Sequence, residues 1–538
     1  MPPARRYLVR PVSTTEPSAP PSPVRDGEEP VSGIRVQGPV TRGPRDVFLA
    51  RPMLAILTML LLAVGAYTVP GLERARLFTR PKQVTSASAT PMLASALVVG
   101  ESEITEETGS RPELDQPEHV ELPRASRGPI AEAETDGELP QVDAKAAPVP
   151  LTDPSGRALD GFYAALTRTR AGAAEGVTRV VHFGDSIVVS DLVSGTLRRR
   201  LQTQFGDAGH GFVLFASPWP AYHHNDVRRW ASRGWVVSRV VGPLAADGLY
   251  GLGGVSFKAP AGARARVGTA TKGNFGRSVS RFVVDYLEQP GGGRLLLNLD
   301  GRPVKDVDTH AAKKRSASVA VDTEDGEHEL ELVVGGAGAV RIFGVVLERQ
   351  RPGVVLDAIG VQGARIRFLD KQDDAHWAEQ LRWRDPDLMI FQFGANESAD
   401  GFAYPMDEYQ QTMEQVLRQA RHALPEAGCL VMGAMDRAHK VDDSLRTLPI
   451  IPLIVDRQRA AAADVGCAFF DTYRAMGGRG SMAKWVRRGL GAADLTHPTA
   501  VGAEILGNWL YRALMQGFVA YAAHVPQPAS AQSRSAAD

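Results

Sequence analysis

Three residue types in this chain, a serine, a histidine and an aspartate, can together cleave an ester. Gly184-Asp185-Ser186 lies well upstream, and Asp494-Leu495-Thr496-His497 lies near the C-terminus. A serine hydroxyl is a poor nucleophile until a neighbouring base takes its proton. His497 is that base if its loop reaches Ser186. Asp494, three positions earlier, accepts the other ring N–H within the same turn and holds the productive tautomer. Pro498 is expected to open the last helix and fix the path of this loop. Acyl transfer also needs donors aimed at the developing oxyanion. The Ser186 backbone N–H, the Gly363 backbone N–H and the Asn396 side-chain amide are the candidates. Gly363 sits in Val361-Gln362-Gly363-Ala364, and Asn396 closes Gly394-Ala395-Asn396. Taken singly, each motif has a plain structural reading: a common turn, a turn into a helix, a cap, a surface pair. Their joint placement decides.

That placement comes from the elements around them. Five apolar runs read as buried parallel strands, at 179–184, 354–361, 387–393, 429–434 and 467–471. Amphipathic helical patterns separate them; in the segment 407–424, Tyr409, Met413, Val416, Leu417, Ala420 and Leu424 share one face. Strands alternating with helices specify a parallel sheet covered on both sides. The serine, Gly363 and Asn396 motifs fall where strands end and helices begin, at the carboxyl edge where such sheets form sites. Between the first strand and the rest lies a different pattern. Short alternating runs at 235–241, 278–287, 295–299, 316–321, 328–334 and 340–347 are punctuated by Pro290-Gly291-Gly292-Gly293 and Asp300-Gly301. This predicts an inserted antiparallel β-sandwich over 211–350, with the α/β domain formed by 151–210 and 351–520.

Upstream the chain changes character. Residues 1–51 are rich in Pro, Ser, Gly and Arg and predict a disordered tail. Residues 52–72 form an uncharged apolar run of about 20 residues, long enough to cross a bilayer as a transmembrane helix. Basic residues flank it equally: Arg35, Arg42, Arg45 and Arg51 before, Arg74, Arg76, Arg80 and Lys82 after. Charge therefore leaves the orientation open. Residues 73–150 read as a disordered acidic and Pro-rich linker, with a coil reach on the order of 45 Å. Residues 521–538 are expected to form a second disordered tail.

Lysine plus arginine equals aspartate plus glutamate at 61 each, so no global field draws the protein to nucleic acid. The two cysteines, Cys429 and Cys467, exclude a disulfide framework or cysteine-rich zinc site. Each lies at the start of a predicted strand. A bridge is open to them if those strands are neighbours in an oxidising compartment, but two buried free thiols are the expected state. No His-Glu-x-x-His occurs, so neither metal nor other cofactor is expected. His223-His224 with Asp226, and Asp306, Asp308 and His310, read as polar loops. His182, inside the first strand, reads as a core histidine. Trp230, Trp235, Tyr250 and Phe275 read as core or edge aromatics rather than sugar platforms.

The four ordered blocks Gly184-Asp185-Ser186, Gly363, Gly394-Ala395-Asn396 and Asp494-Leu495-Thr496-His497 resemble those of the SGNH (GDSL-type) hydrolase family. The resemblance implies a three-layer, flavodoxin-like α/β fold. It implies Ser186 as nucleophile, Asp494 and His497 completing the triad, and Ser186, Gly363 and Asn396 as the oxyanion hole. A β-sandwich between the first and second blocks is similar to a subgroup that includes peptidoglycan O-acetylesterases, where the insert resembles a carbohydrate-binding module. Ile187-Val188 after the nucleophile departs from the polar residue many relatives carry. No Gly-x-Ser-x-Gly elbow surrounds Ser186, against an ordinary α/β-hydrolase. The expectation is a single-pass protein of the bacterial inner membrane. Its C-terminal domain, in the periplasm or outside, would remove O-acetyl groups from a cell-envelope polysaccharide. A lipase- or thioesterase-like hydrolase, an O-acetyltransferase and a non-catalytic polysaccharide-binding protein are the alternatives.

Overall fold

The computed structural model describes residues 147–524 except 174, 175 and 443. The expected membrane span, the N-terminal tail, nearly all of the linker and most of the C-terminal tail lie outside the described residues. Among the described residues no helix is long and apolar enough to cross a membrane.

Helix α1 (Asp160–Arg170) leads into β1 (Val177–Gly184), α2 (Ser186–Val189) and α3 (Leu192–Phe205). Eleven strands of the insert follow. They are β2 (Gly211–Val213), β3 (Val227–Ala231), β4 (Val236–Arg239), β5 (Val255–Ala259), β6 (Arg264–Thr269), β7 (Val279–Glu288), β8 (Arg294–Leu299), β9 (Arg302–Asp308), β10 (Arg315–Gly326), β11 (Glu329–Gly335) and β12 (Val340–Glu348). The α/β part resumes with β13 (Gly353–Gly360), α4 (Asp374–Arg384), β14 (Leu388–Gln392), α5 (Met406–Ala423) and β15 (Gly428–Met432). A hairpin of β16 (Ala438–Val441) and β17 (Ser444–Thr447) precedes α6 (Ile451–Val465), β18 (Ala468–Phe470), α7 (Thr472–Met476), α8 (Ser481–Arg487) and α9 (Ala500–His524).

The central sheet runs β13-β1-β14-β15-β18 with every neighbouring pair parallel. Taking its five strands in chain order, that is 2-1-3-4-5, the flavodoxin-like arrangement. Alternation along the strands sends side chains to two faces. Val180, Leu356, Leu388, Ile390 and Met432 pack with α1, α3 and α9 in one core. Val181, Phe183, Met389, Phe391 and Val431 pack with α4, α5 and α6 in the other. Full burial of each such side chain contributes about 1.5–3 kcal/mol.

The insert forms two antiparallel sheets, one ordered β10-β7-β12-β5-β4 with β2 against β12, the other β3-β6-β11-β8-β9. Phe257, Phe282 and Val284 of the first and Val267, Leu295, Leu297 and Leu332 of the second share one buried core, continuous with the α4–α6 side of the central sheet. Charged groups tie the insert to the α/β part: Arg384 donates to Asp357 and to Glu348, which Arg179 also reaches.

Three expectations are corrected. Cys429 and Cys467 are not free thiols but a disulfide, with Cα atoms 4.7 Å apart. The cause is register: Leu430 lies opposite Ala468 across β15 and β18, so the preceding residues face each other. The last helix begins at Ala500, not Pro498; Pro498 instead forms a bridge with Gly491. That helix runs through His524, so the first residues of the expected tail are helical, and Tyr521 packs on Tyr163.

Candidate active site

Ser186 stands where β1 stops. Its strand must pass close beneath α2: a Cβ on Gly184 would lie 2.4 Å from the Val188 side chain and 2.8 Å from the Gln392 carbonyl. Asp185 caps the turn, its Oδ1 accepting the Ile187 N–H at 3.1 Å. Ser186 is then the first helical residue, and its N–H has no acceptor within the helix. Asp185 is itself buried, which raises its pKa to about 6 against the opposing pull of the Ile187 N–H, the nearby His497 and the Ala395 N–H. The turn is braced from behind by Asp191, left-handed at φ 50, whose carboxylate takes two N–H bonds from Arg198 at 3.0 and 2.6 Å.

The acid–base turn arrives from 311 residues downstream and closes on Ser186: Oγ lies 2.7 Å from His497 Nε2. His497 Nδ1 lies 2.6 Å from Asp494 Oδ2. The other Asp494 oxygen accepts the backbone N–H groups of Thr496 (2.9 Å) and His497 (3.0 Å). Burial alone would raise this carboxyl, but the N–H donors and the ring together hold it below the usual range. The turn closes only because Leu495 takes φ 63, uncommon for a side chain of its size. A bond from the Ala438 N–H to the Leu495 carbonyl, 2.9 Å, secures it.

The remaining two blocks meet beside the serine. Gly363 has φ 77, which favours glycine, and open space where a Cβ would stand. Asn396 Nδ2 donates to the Ala364 carbonyl at 2.9 Å and points more weakly to Asp185 Oδ2 at 3.4 Å. The amide therefore sits between the Gly363 loop and the Ser186 turn. Arg437 steadies this loop by donating to the Ala395 carbonyl (3.0 Å) and Ser398 Oγ (2.9 Å). Burial lowers its pKa, while the Asp494 charge opposes the fall.

Glu397, Arg437 and Leu495 also belong to this site, yet an acid after a turn, a lone arginine and an apolar residue between polar ones carry no spacing signal by which they could be found. The other singled-out residues lie elsewhere. His224 is buried with its Nδ1 3.0 Å from His210 Nε2, whereas His223 is exposed beside Asn225. Asp306 and Asp308 pair with Arg294. His182 is buried with Nδ1 3.0 Å from Ser194 Oγ. Tyr250 is fully buried, Trp235 rests on Phe215, Phe275 lies under Arg199, and Trp230 is 51% exposed under Arg266. Among the described residues, no group of three or more His, Cys, Asp or Glu side chains is placed to hold a metal ion.

A parallel α/β sheet carrying an activated hydroxyl at its carboxyl edge is equipped for acyl transfer, and a match to an acylhydrolase family makes it a carboxylic-ester hydrolase. The family model for the GDSL-like lipase/acylhydrolase family matches residues 324–505. Among solved structures, a peptidoglycan O-acetylesterase aligns at TM-score 0.59 and 23% identity, over 69% of this chain and 99% of its own. A Bacillus subtilis protein aligns at 12% identity over 58% and 99%, with TM-score 0.27. A family two carbohydrate esterase from Cellvibrio japonicus aligns at 12% identity over 57% and 98%, with TM-score 0.22. No curated protein matches the chain in sequence.

Proposed function

We propose that this protein removes O-acetyl groups from a cell-envelope polysaccharide such as peptidoglycan, through an acetyl-enzyme on Ser186. The observation that carries the reading is the unbroken chain Ser186 Oγ–His497–Asp494, with contacts of 2.7 and 2.6 Å. His497 takes the Ser186 proton as Oγ adds to the acetyl carbonyl. The oxyanion that forms is met by the N–H groups of Ser186 and Gly363 and by the Asn396 amide. Collapse expels the sugar alkoxide, which receives the proton from His497. A water, deprotonated by the same ring, then releases acetate and restores the serine. Asp494 stays ionised throughout and stabilises the imidazolium.

Choice of an acetylated polymer is supported by the solved peptidoglycan O-acetylesterase, the one neighbour above whose fold aligns well. It is also supported by the apolar run at 52–72, long enough to span a bilayer, and by the acidic, Pro-rich composition of the stretch behind it, which would suit an anchored domain searching a polymer layer. The Cys429–Cys467 disulfide favours an oxidising compartment, and hence a C-terminal domain outside the bacterial inner membrane.

The test is acetate release from O-acetylated peptidoglycan by the full-length protein, with long-chain esters as competitors. Ser186→Ala should lower the rate by a factor on the order of 10⁴ or more while leaving the melting temperature unchanged. A preference for acyl chains beyond about four carbons, or acetate moved mainly to a second sugar rather than to water, would overturn the reading.

A further inference from the structure

Directly after Asn396, on the same loop, stands a side chain that reaches across to the Gly363 loop. Glu397 is fully buried. Its Oε1 accepts the Ile366 N–H at 2.9 Å, and its Oε2 accepts the Gly394 N–H at 3.0 Å. Ile366 comes three residues after Gly363, and Gly394 two before Asn396. One carboxylate thus spans both loops. We infer that Glu397 is a positioning residue that sets the spacing between the Gly363 and Asn396 donors, acting as an ionised clip with one oxygen on each loop. The inference rests on the proposed role of those two donors.

The chemistry of the clip selects a carboxylate. Only a group that accepts at both ends can receive two N–H donors at once; a glutamine or a protonated acid turns a donor toward one of them. Burying such a group is costly unless its partners compensate. Burial raises the Glu397 pKa to about 7, against the Ile366 N–H and its own backbone N–H; the Asp185 charge adds to the rise, and the Arg365 charge opposes it. Tyr404 and Tyr409, from the following segment, also face it. The molecule therefore holds a carboxylate where its ionised form is least comfortable, at the joint between two catalytic loops. Two backbone N–H groups could be satisfied by neutral acceptors at lower cost. The ionised form is what keeps the loops in register.

The experiment uses the full-length protein with p-nitrophenyl acetate, measuring kcat, KM, pH dependence and thermal unfolding for wild type, Glu397→Gln, Asn396→Ala and the double variant. Displacing donors by about 1 Å costs on the order of 10²-fold in rate. Glu397→Gln should therefore lower kcat by about that factor with KM nearly unchanged. The double variant should be no more than about threefold slower than Asn396→Ala alone, because the clip acts through the donors it spaces. The acidic limb of the wild-type profile should contain an ionisation near 7 that disappears in Glu397→Gln. Additive losses, or a profile unchanged by the substitution, would show that Glu397 serves folding alone. If Glu397→Gln does not fold, Glu397→Asp keeps the charge but shortens the reach. Its kcat should drop at least about tenfold with KM unchanged, and a kcat within about twofold of wild type overturns the inference. An inert wild type would instead defeat the esterase reading itself.

Discussion

The two flanks of the active site are built in opposite ways. On the serine side, Ser186 and the Gly363 and Asn396 loops are held from below by buried carboxyls: Asp185, Asp191 and Glu397 have essentially no exposed surface. Burial pushes Asp185 and Glu397 upward, to about 6 and about 7. On the acid–base side, Asp494 and His497 are half-exposed, and their geometry comes from a four-residue turn that closes on itself. Its carboxyl is shifted down rather than up. One flank borrows its rigidity from the core; the other carries its own. Activity that demands a fixed hydroxyl and donor set, but a ring free to pass a proton both ways, is served by that division.

The largest expected effect breaks the exposed flank. Asp494→Asn keeps the shape of the turn but favours the wrong tautomer of His497, and should cost about 10³–10⁴ in kcat. Thermal unfolding at neutral pH should move by only a few degrees, since no core packing is lost. A rate loss under tenfold would mean that the turn does not set the tautomer.

A smaller effect tests whether the turn depends on its strained residue. Leu495 stands at φ 63, a conformation that β-branched side chains resist most. Leu495→Val should lower kcat about tenfold by displacing His497, the size expected for a shift well below 1 Å. Leu495→Gly, free of that strain, should retain more activity than Leu495→Val. The reverse order would show that packing of Leu495, not its backbone, positions the ring.

The smallest effects are opposite slopes of stability with pH. A carboxyl whose folded pKa is raised, as for Asp185 from 3.8 to about 6, contributes stability below 3.8 that is lost as pH rises through about 6. A carboxyl whose folded pKa is lowered, as for Asp494, contributes stability above its ordinary value that is lost on acidification. Asp185→Asn should therefore flatten the fall in melting temperature between about pH 4 and 6. Asp494→Asn should flatten the fall below about pH 4. Equal slopes in the two variants would erase the contrast between the flanks.

Much of this arrangement was legible in the residues. Parallel strands buried on both faces read as unbroken apolar runs, and all five central strands were placed to within a few residues. Ser186, Gly363 and Asn396 could be found because they follow such runs; His497 could be found because Asp494 precedes it by one turn. The insert was harder. Strands β3, β6 and β9 carry Arg228, Arg264, Arg266, Arg302 and Lys305 on an exposed face, so polar alternation hid them. The Cys429–Cys467 bridge depended on which strands become neighbours, a long-range fact absent from either local window. Glu397 escaped for a related reason: an acidic residue after a turn is normally solvated, and only the meeting of two loops buries it.

The described chain begins and ends on the far side of the sheet from the hydroxyl. Ala158 and Arg168 meet the starts of β15 and β14 at Cys429 and Asp387, and Tyr163 packs on Phe518 and Tyr521 at the distal end of α9. That helix, 25 residues long, puts about 37 Å between its end and the turn carrying His497. At that rear edge helices α1 and α9 pack on each other through Tyr163, Phe518 and Tyr521. Ser186 and His497 lie at the opposite edge of the sheet from the places where the described chain enters and leaves the domain.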